Sequence, residues 1–161
     1  MQKITPFLWF DNNAEEAIQL YTSLFKNSKV KDIVRYGPMG PGPEGSVMTA
    51  SFEIEGQEFA VINGGPMYKF TEAVSFVIHC DSQEEVDLYW NKLSEGGQEQ
   101  MCGWLKDRFG LSWQIIPRAM IQMFKDKDGK RAQRAMQAMM KMRKIDIPAL
   151  QRAFDGETAD A

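Results

Sequence analysis

Residues Cys102–Pro117 have the sequence CGWLKDRFGLSWQIIP, which predicts a β-hairpin. A first strand leads into the turn Asp107–Gly110, where the glycine can adopt a positive φ, and Leu111–Ile116 predicts the returning strand. Pro117 has no backbone N–H to donate and is expected to end the pairing. Side chains alternate between the faces of a strand, so Gln114 is a polar residue in the middle of one strand face. The functional question therefore centres on what surrounds Gln114.

The composition is typical of a globular chain with one domain, or with two small modules that share a core. The chain has 161 residues, of which 43% are hydrophobic and 11% aromatic. Its net charge of −3 argues against a general nucleic-acid-binding protein. Neither an N-terminal signal nor an apolar run of spanning length is present, which predicts a cytoplasmic protein with no membrane partner. One histidine, His79, and two cysteines are too few for a His-rich metal site or a disulfide framework.

The chain contains an internal repeat with the order strand–helix–strand–strand–strand. Each copy has one helix with an apolar stripe, at Ala14–Phe25 in the first and Glu84–Leu93 in the second. When these helices are aligned, the last strands also match, because Gly56–Ile62 and Gly110–Ile116 place an aromatic residue and a β-branched pair alike. The other predicted strands are Ile4–Phe10, Val30–Tyr36, Val47–Ile54 and Val74–Cys80. The repeat predicts two copies of one module.

The rest of the chain predicts helices. We expect a first module at residues 1–66, a second at 67–117, C-terminal helices at 118–156 and a frayed tail at 157–161. The predicted C-terminal helices are Pro117–Phe124, Lys130–Lys144 and Ile147–Phe154. They are expected to pack on the modules or on a partner subunit.

Four segments carry a resemblance to a known family: WFDNNAEEA at Trp9–Ala17, NGGP at Asn63–Pro66, EVDLYW at Glu85–Trp90, and CGWLKDRFGLSWQ at Cys102–Gln114. With the paired module order, they resemble the vicinal oxygen chelate superfamily, which includes glyoxalase I, bleomycin-resistance proteins and extradiol dioxygenases. More narrowly, they resemble the branch often labelled 3-demethylubiquinone-9 3-methyltransferase. The resemblance implies an α+β fold in which two βαβββ modules form a half-open barrel around a cavity, with helices outside. It also implies a homodimer.

The same resemblance implies a divalent metal held by side chains from the first and last strands of each module. By the repeat alignment these positions fall near Pro6 (or Thr5), Ala60, Ser75 and Gln114. Proline and alanine side chains cannot ligate, and serine is a poor ligand, so one amide remains where three or more good ligands are needed. We therefore predict no metal, no other cofactor and a metal-free cavity.

The strand alternation predicts which residues face this cavity. Ser75 and His79 share one face of their strand, and Phe10 lies on the same side as Pro6. The candidate ligand-binding residues are Phe10, Ser75, His79, Cys102, Trp104 and Gln114. A mainly apolar and aromatic cavity with a few polar groups suits a small, partly aromatic or amphiphilic ligand.

No catalytic residue is assigned from the sequence. His79 is a candidate general base, although a histidine bonded to the backbone at a strand end is the favoured interpretation. Cys102 is a candidate nucleophile, although an inert buried thiol is favoured. Gln114 is either a ligand anchor or a buried amide with satisfied hydrogen bonds. We interpret Trp9, Trp90 and Trp113 as core between sheet and helix, whereas Trp104 stays undecided.

The leading hypothesis is a small-molecule-binding protein of the glyoxalase and bleomycin-resistance type that lacks the catalytic metal ligands. The alternative is an enzyme of the superfamily, either of the lyase or dioxygenase type or an acid–base catalyst that uses His79. A methyltransferase, as the branch label suggests, ranks third because the chain lacks the alternating strands and helices with a Gly-rich first turn that S-adenosylmethionine enzymes usually have. A purely structural interaction module ranks fourth. Whether the protein is an enzyme stays open.

Overall fold

Two four-stranded sheets, each with one helix between its first and second strands, confirm the predicted pair of βαβββ modules. The computed structural model describes residues 2–157. The chain divides into two compact units, with the boundary between Phe70 and Thr71. The fold is α+β, as the family resemblance implied.

The first unit contains one sheet and one helix. Its elements are β1 (Phe7–Phe10), α1 (Ala14–Leu24), β2 (Ser28–Arg35), β3 (Val47–Ile54) and β4 (Gln57–Asn63). The strand order is β1-β4-β3-β2; β1 runs parallel to β4, and the other neighbours are antiparallel. The rings of Phe52 and Phe59 stack 5.2 Å apart, and Tyr21 of α1 packs on Phe52. The helix therefore covers the sheet face that carries these two phenylalanines.

The second unit repeats this topology and adds three helices. Its elements are β5 (Ser75–Cys80), α2 (Gln83–Ser94), β6 (Gln98–Glu99), β7 (Trp104–Lys106), β8 (Ser112–Pro117), α3 (Arg118–Phe124), α4 (Gly129–Met139) and α5 (Ile147–Phe154). The strand order is β5-β8-β7-β6, again with the first and last strands of the module parallel. Among residues 2–157, no helix has the length and apolar composition needed to cross a membrane.

The two central hairpins are built differently. Between β3 and β4, Glu55 and Gly56 both have positive φ, 48° and 83°, as a two-residue hairpin turn requires. Between β7 and β8, the buried carboxylate of Asp107 accepts hydrogen bonds from the backbone N–H groups of Phe109 and Leu111 and from the indole N–H of Trp113, at 2.9, 3.0 and 2.9 Å. The second hairpin thus depends on one side chain, and the first on backbone conformation.

The two module helices also begin differently. At α2 the side chain of Ser82 accepts a hydrogen bond from the N–H of Glu85, which makes Ser82 the N-cap of the helix. At α1, Asn13 makes no side-chain cap. Instead the side-chain oxygen of Asn63, at the end of β4, accepts from the N–H of Ala14 at 2.9 Å. This bond ties the start of the helix to the last strand of the same module.

The parallel strand pairs differ in register by one residue from what the repeat alignment predicts. In the first sheet Phe7 pairs with Ala60. In the second sheet Gln114 is the counterpart of Ala60, and it pairs with Val77. The repeat alignment matches Pro6 with Ser75, and so Phe7 with Phe76, which predicts Phe76 as the partner of Gln114. Because neighbouring residues of a strand point to opposite faces, this difference inverts the predicted faces of β1. The position that matches Ser75 is therefore Thr5 rather than Pro6.

Candidate functional site

One face of the second sheet carries the predicted polar residues. Trp90 of α2 donates its indole N–H to Glu99, which pairs with Leu105, so α2 covers the face on which Leu105 and Trp113 lie. The opposite face is called the open face here. It consists of Ser75, Val77 and His79 in β5, Gln98 in β6, Trp104 and Lys106 in β7, and Ser112, Gln114 and Ile116 in β8.

Ser75 and Gln114 are joined at the centre of the open face. The side-chain N–H of Gln114 donates to the hydroxyl oxygen of Ser75 at 2.9 Å, and both residues are half-buried. The hydroxyl proton of Ser75 can still be donated, and the amide oxygen of Gln114 can accept. The two positions that the superfamily resemblance marks in this module are therefore adjacent in space and chemically neutral.

Ser112 contributes a buried hydroxyl next to this pair. Its side chain is fully buried, and within residues 2–157 its oxygen has no hydrogen-bond partner. Ser112 lies directly opposite Ser75 on one side and Lys106 on the other. A buried hydroxyl without a partner costs about 1–3 kcal/mol, which a bound polar group would recover. The open face thus has an unsatisfied polar atom beside its hydrogen-bonded pair.

Two further side chains on the open face are the charge-paired Lys106 and the aromatic Trp104. The ammonium of Lys106 forms an ion pair with the carboxylate of Glu72. Trp104 is half-buried and pairs directly with Gln114 across the strands. The open face therefore combines neutral hydrogen-bonding groups with a flat apolar surface, which is the chemistry of a site for a small ligand.

His79 lies on the same face but at its border. It is exposed and pairs with Ile116 near the ends of both strands. The predicted position of His79 on one face with Ser75 agrees with the register, while its catalytic role stays a prediction.

The two cysteines lie elsewhere. Cys102 is in the β6–β7 turn with φ +61°, not in a strand as predicted, and its N–H donates to the carbonyl of Met142 at 2.7 Å. Cys80 is buried on the helix-covered face; burial, together with the nearby carboxylates of Glu85 and Asp81, raises the pKa of its thiol to about 12. That thiol stays protonated at neutral pH, so it is a packing residue.

The first sheet presents different groups. Its face opposite α1 carries Phe7 and Trp9, next to Ala60. Phe10 was predicted on the cavity side, but the register places it on the helix-covered face with a buried ring 5.2 Å from that of Phe70. Trp9 was predicted between sheet and helix, and the same one-residue difference places it on the other face. The cause is the inverted face assignment of β1.

Trp9 is fixed by the turn that follows β4. Its indole N–H donates to the carbonyl of Gly65 at 2.9 Å, and the ring of Tyr68 meets it edge-on at 5.0 Å. A Cβ atom at Gly64 would lie 2.3 Å from the indole, so only glycine fits there. The NGGP segment of the sequence is thus explained by packing on Trp9.

In the first module the positions that the resemblance marks offer at most the hydroxyl of Thr5, which is a poor metal ligand. Pro6 and Ala60 are adjacent, since the N–H of Ala60 donates to the carbonyl of Pro6 at 2.9 Å, but neither side chain has a donor atom. Across the part of the chain that the structure describes, no group of three or more His, Cys, Asp or Glu residues could hold a metal ion.

Sequence reasoning missed two features near the site, Lys106 with Glu72 and the carboxylate of Asp107. Lys106 could have been found, because it lies two residues after Trp104 and so on the same strand face. Asp107 precedes a glycine-containing turn, and aspartate in that position often accepts from the backbone two residues on. Its third bond, to Trp113, depends on how the hairpin closes.

Two βαβββ modules with parallel first and last strands give this chain the paired-module fold that the sequence resemblance implied. The sequence profile of the 3-demethylubiquinone-9 3-methyltransferase family matches residues 2–116. The chain belongs to this family. The resemblance noted in the sequence is therefore confirmed.

Solved structures agree with this assignment. A Bacillus cereus protein described as a putative 3-demethylubiquinone-9 3-methyltransferase, PhnB protein, is 41% identical; the match covers 72% of this chain and 99% of that one, with a TM-score of 0.69. A Pseudomonas aeruginosa protein is 23% identical over 73% of this chain and 98% of its own, with a TM-score of 0.61. A fosfomycin resistance protein from Listeria monocytogenes shares the fold at 15% identity and a TM-score of 0.56, over 78% and 98% of the two chains. No curated protein sequence matches the chain significantly.

Proposed function

We propose that this chain binds a small neutral molecule on the open face of the second sheet and does so without a catalytic metal. The observation that carries the proposal is the unpartnered, fully buried hydroxyl of Ser112 beside the hydrogen-bonded pair of Ser75 and Gln114. A site that keeps a polar atom buried without a partner in the ligand-free chain supports recognition of a polar ligand group.

The chemistry of these groups indicates the kind of ligand. Ser75 and Ser112 can each donate and accept, and Gln114 has a free lone pair on its amide oxygen. The one cation on this face, Lys106, is paired with Glu72. A neutral carbonyl, amide or hydroxyl group fits this set better than an anion, and the ring of Trp104 suits a flat apolar part of the same ligand.

The absence of a catalytic metal is proposed from the side chains at the four positions implied by the resemblance. Thr5 or Pro6, Ala60, Ser75 and Gln114 offer amide and hydroxyl oxygens at most. Divalent ions in such sites are usually held by imidazole and carboxylate groups. Equilibrium metal analysis of the purified protein tests this part, and a tightly held stoichiometric divalent ion would refute it.

Binding itself is tested with two variants and one control. Native mass spectrometry of freshly purified protein identifies a retained small molecule, and titration of the emptied protein with that molecule gives its affinity. Ser112→Ala should weaken binding about fivefold to tenfold, the worth of one neutral hydrogen bond, without lowering stability. Gln114→Leu should weaken it further. Ser23→Ala, on the exposed side of α1, is the control and should bind as the native protein does. Unchanged affinity in both site variants would exclude the open face as the site.

A second candidate function is acid–base catalysis, because His79 is exposed on the same face as Ser75 and Gln114. Histidine is the side chain that most often serves as a general acid or base in enzymes. If the retained molecule is turned over, His79→Gln should reduce kcat at least a hundredfold with little change in binding. Turnover that persists in His79→Gln removes this candidate.

The family's methyltransferase label ranks third as an activity for this chain. Each sheet contains antiparallel neighbours and one parallel pair, rather than the alternating parallel strands and helices with a Gly-rich first turn expected for S-adenosylmethionine binding. Calorimetry tests the label directly, and micromolar binding of S-adenosylmethionine would reinstate it.

We also propose a homodimer. The first unit exposes several large apolar side chains in the isolated chain, among them Phe7 at 59% and Tyr68 at 60% of their surface. Contiguous exposed apolar groups often mark subunit contacts. Light scattering coupled to size exclusion should give twice the mass of the chain, and a monomer at micromolar concentration would contradict the proposal.

A further inference from the structure

The three C-terminal helices lie outside the part of the chain that defines the family. The family profile ends at Ile116, and the Bacillus cereus protein is matched over 99% of its own length by only 72% of this chain. Helix α3 follows immediately after β8, and α4 and α5 come after α3. Residues 118–157 are called the C-terminal extension here. The extension is therefore an addition to the two βαβββ modules. Because it belongs to the second unit, it can affect ligand binding on the open face.

The extension is fastened to the second unit by main-chain hydrogen bonds at the β6–β7 turn. The N–H groups of Cys102 and Gly103 donate to the carbonyls of Met142 and Arg143 at 2.7 and 2.8 Å. Both turn residues have positive φ, 61° and 82°, which aims two successive N–H groups in one direction. The turn that places Trp104 on the open face is thus shaped by the extension.

A second attachment comes from the start of α2. The side chain of Gln83 donates to the carbonyl of Ile145 at 3.0 Å and accepts from the N–H of Ile147 at 2.7 Å. The ammonium of Lys144 pairs with Asp87 at 2.9 Å. The segment before α5 is therefore held from two sides, by the β6–β7 turn and by α2.

The extension covers one end of the open face. Ile116 belongs to that face, yet it is only 6% exposed. It packs in a cluster with Met120, Met123, Ala135, Ile145 and Leu150, all from the extension. A Cβ atom at Gly103 would lie 3.1 Å from side-chain atoms of both Ile116 and Ile145, so the contact is close. Next to Ile116 on the same face, Gln114 is only half-buried and His79 is exposed.

We propose that the C-terminal extension is a specificity element of the ligand site: its packing on Ile116 closes that end of the open face and limits the length of the ligand that Ser75, Ser112 and Gln114 can hold. This inference rests on the proposed function. A ligand anchored at Gln114 can extend past Trp104 or toward His79, whereas a chain directed at Ile116 meets the buried cluster of the extension.

The prediction concerns a series of ligands that differ only in length. N-alkylbenzamides with alkyl chains from methyl to butyl present a neutral amide for Gln114 and Ser112 and a flat ring for Trp104. Binding to the full-length protein is followed by NMR at the side-chain amide of Gln114. The native protein should bind the shortest members best and the butyl member at least tenfold more weakly, because the added carbons meet the covered end.

Ile116→Ala opens space at this end. Each methylene that the new space accommodates should tighten binding about fourfold, so the preferred chain should lengthen by two or three carbons. The matched control is Ile115→Ala, which removes a fully buried side chain of the same size from the helix-covered face of β8, outside the cluster of the extension. It should keep the native length preference. If Ile116→Ala does not fold, Ile116→Val tests the same idea with an expected change of one carbon.

The outcomes separate the two proposals. A shift of preference in Ile116→Ala, and none in Ile115→Ala, supports the inference. The same length dependence in the native protein and Ile116→Ala overturns the inference and leaves the proposed function standing. No response at Gln114 to any member of the series overturns the proposed function, and the inference with it.

Discussion

The two sheets present different chemistry on the faces away from their helices, although their strands follow the same order. The first carries Phe7 and Trp9 beside Ala60, and the second carries Ser75 and Gln114 hydrogen-bonded to each other. In both sheets the outer parallel strand and its partner bring these residues together. The difference shows that the repeated fold supplies adjacent positions, while the side chains placed there decide what each sheet can bind. The proposed recognition of a polar ligand group therefore concerns the second sheet.

The largest expected effect concerns the hairpin that only the second module builds around a carboxylate. Asp107→Ala leaves three N–H groups without their acceptor, those of Phe109, Leu111 and the Trp113 indole. We expect the free energy of unfolding to fall by about 4 kcal/mol, since each buried unsatisfied group costs about 1–3 kcal/mol. Urea unfolding followed by circular dichroism measures this. Glu55→Ala, in the corresponding turn of the first module, should cost less than about 0.5 kcal/mol; equal losses would mean that the two hairpins do not differ as described.

The next effect tests the aromatic side of the comparison. Gly64→Ala would push a methyl group against the indole of Trp9, and we expect a loss of about 2–3 kcal/mol from overpacking. Gly37→Ala is the control, because no atom lies within 4 Å of a Cβ there, and it should be neutral. Thermal unfolding of both variants gives the comparison. A near-native Gly64→Ala protein would show that Trp9 is not held against this turn.

A smaller effect concerns the extension, which only the second module carries. Gln83 occupies the first position of α2, where α1 has Ala14, so Gln83→Ala gives the second module the residue of the first. The substitution removes the hydrogen bonds to Ile145 and Ile147, at a cost of about 1–2 kcal/mol. In Gln83→Ala, backbone amide hydrogen exchange should accelerate more in α5 than in β5. Glu84→Ala, exposed and one residue on, is the control; unchanged exchange in α5 of Gln83→Ala would exclude this attachment.

The smallest effect is a pH dependence at the same attachment. The hydrogen bond from Lys144, and then that from Gln83, lowers the pKa of Asp87 below its usual value. A carboxyl group with a lowered folded-state pKa contributes stability that is present above its unfolded value, about 3.9, and lost as pH falls through the folded value. Asp87 is partly exposed, so the contribution is small. The native protein should exceed Asp87→Asn slightly in melting temperature at pH 7, and the difference should vanish near pH 2; a constant difference would exclude the linkage.

Much of this architecture could be predicted from the sequence because hydrophobic periodicity reports element type and order. The face of β1 could not, since an alignment error of one residue exchanges Pro6 for Thr5 and turns every side chain of the strand over. The strand predicted through Cys102 is interrupted because the carbonyls of Met142 and Arg143 draw two N–H groups out of the sheet. Such a contact joins distant segments and leaves no local pattern. The face shared by Ser75, His79 and Gln114 was predictable, because all three lie inside regular strands.

The parallel pairing of first and last strands also has a consequence for the order in which the chain folds. Phe7 pairs with Ala60, and Ser75 with Ser112, so each module's opening strand has no partner within its sheet until the end of that module is synthesised. Such closures between distant segments are slow compared with helix or hairpin formation. During synthesis on the ribosome, α1 and the β3–β4 hairpin can therefore form early, while β1 stays without its strand partner until β4 has emerged. The extension emerges after the second sheet, and its docking at Cys102 and Gly103 can follow only when that sheet already exists.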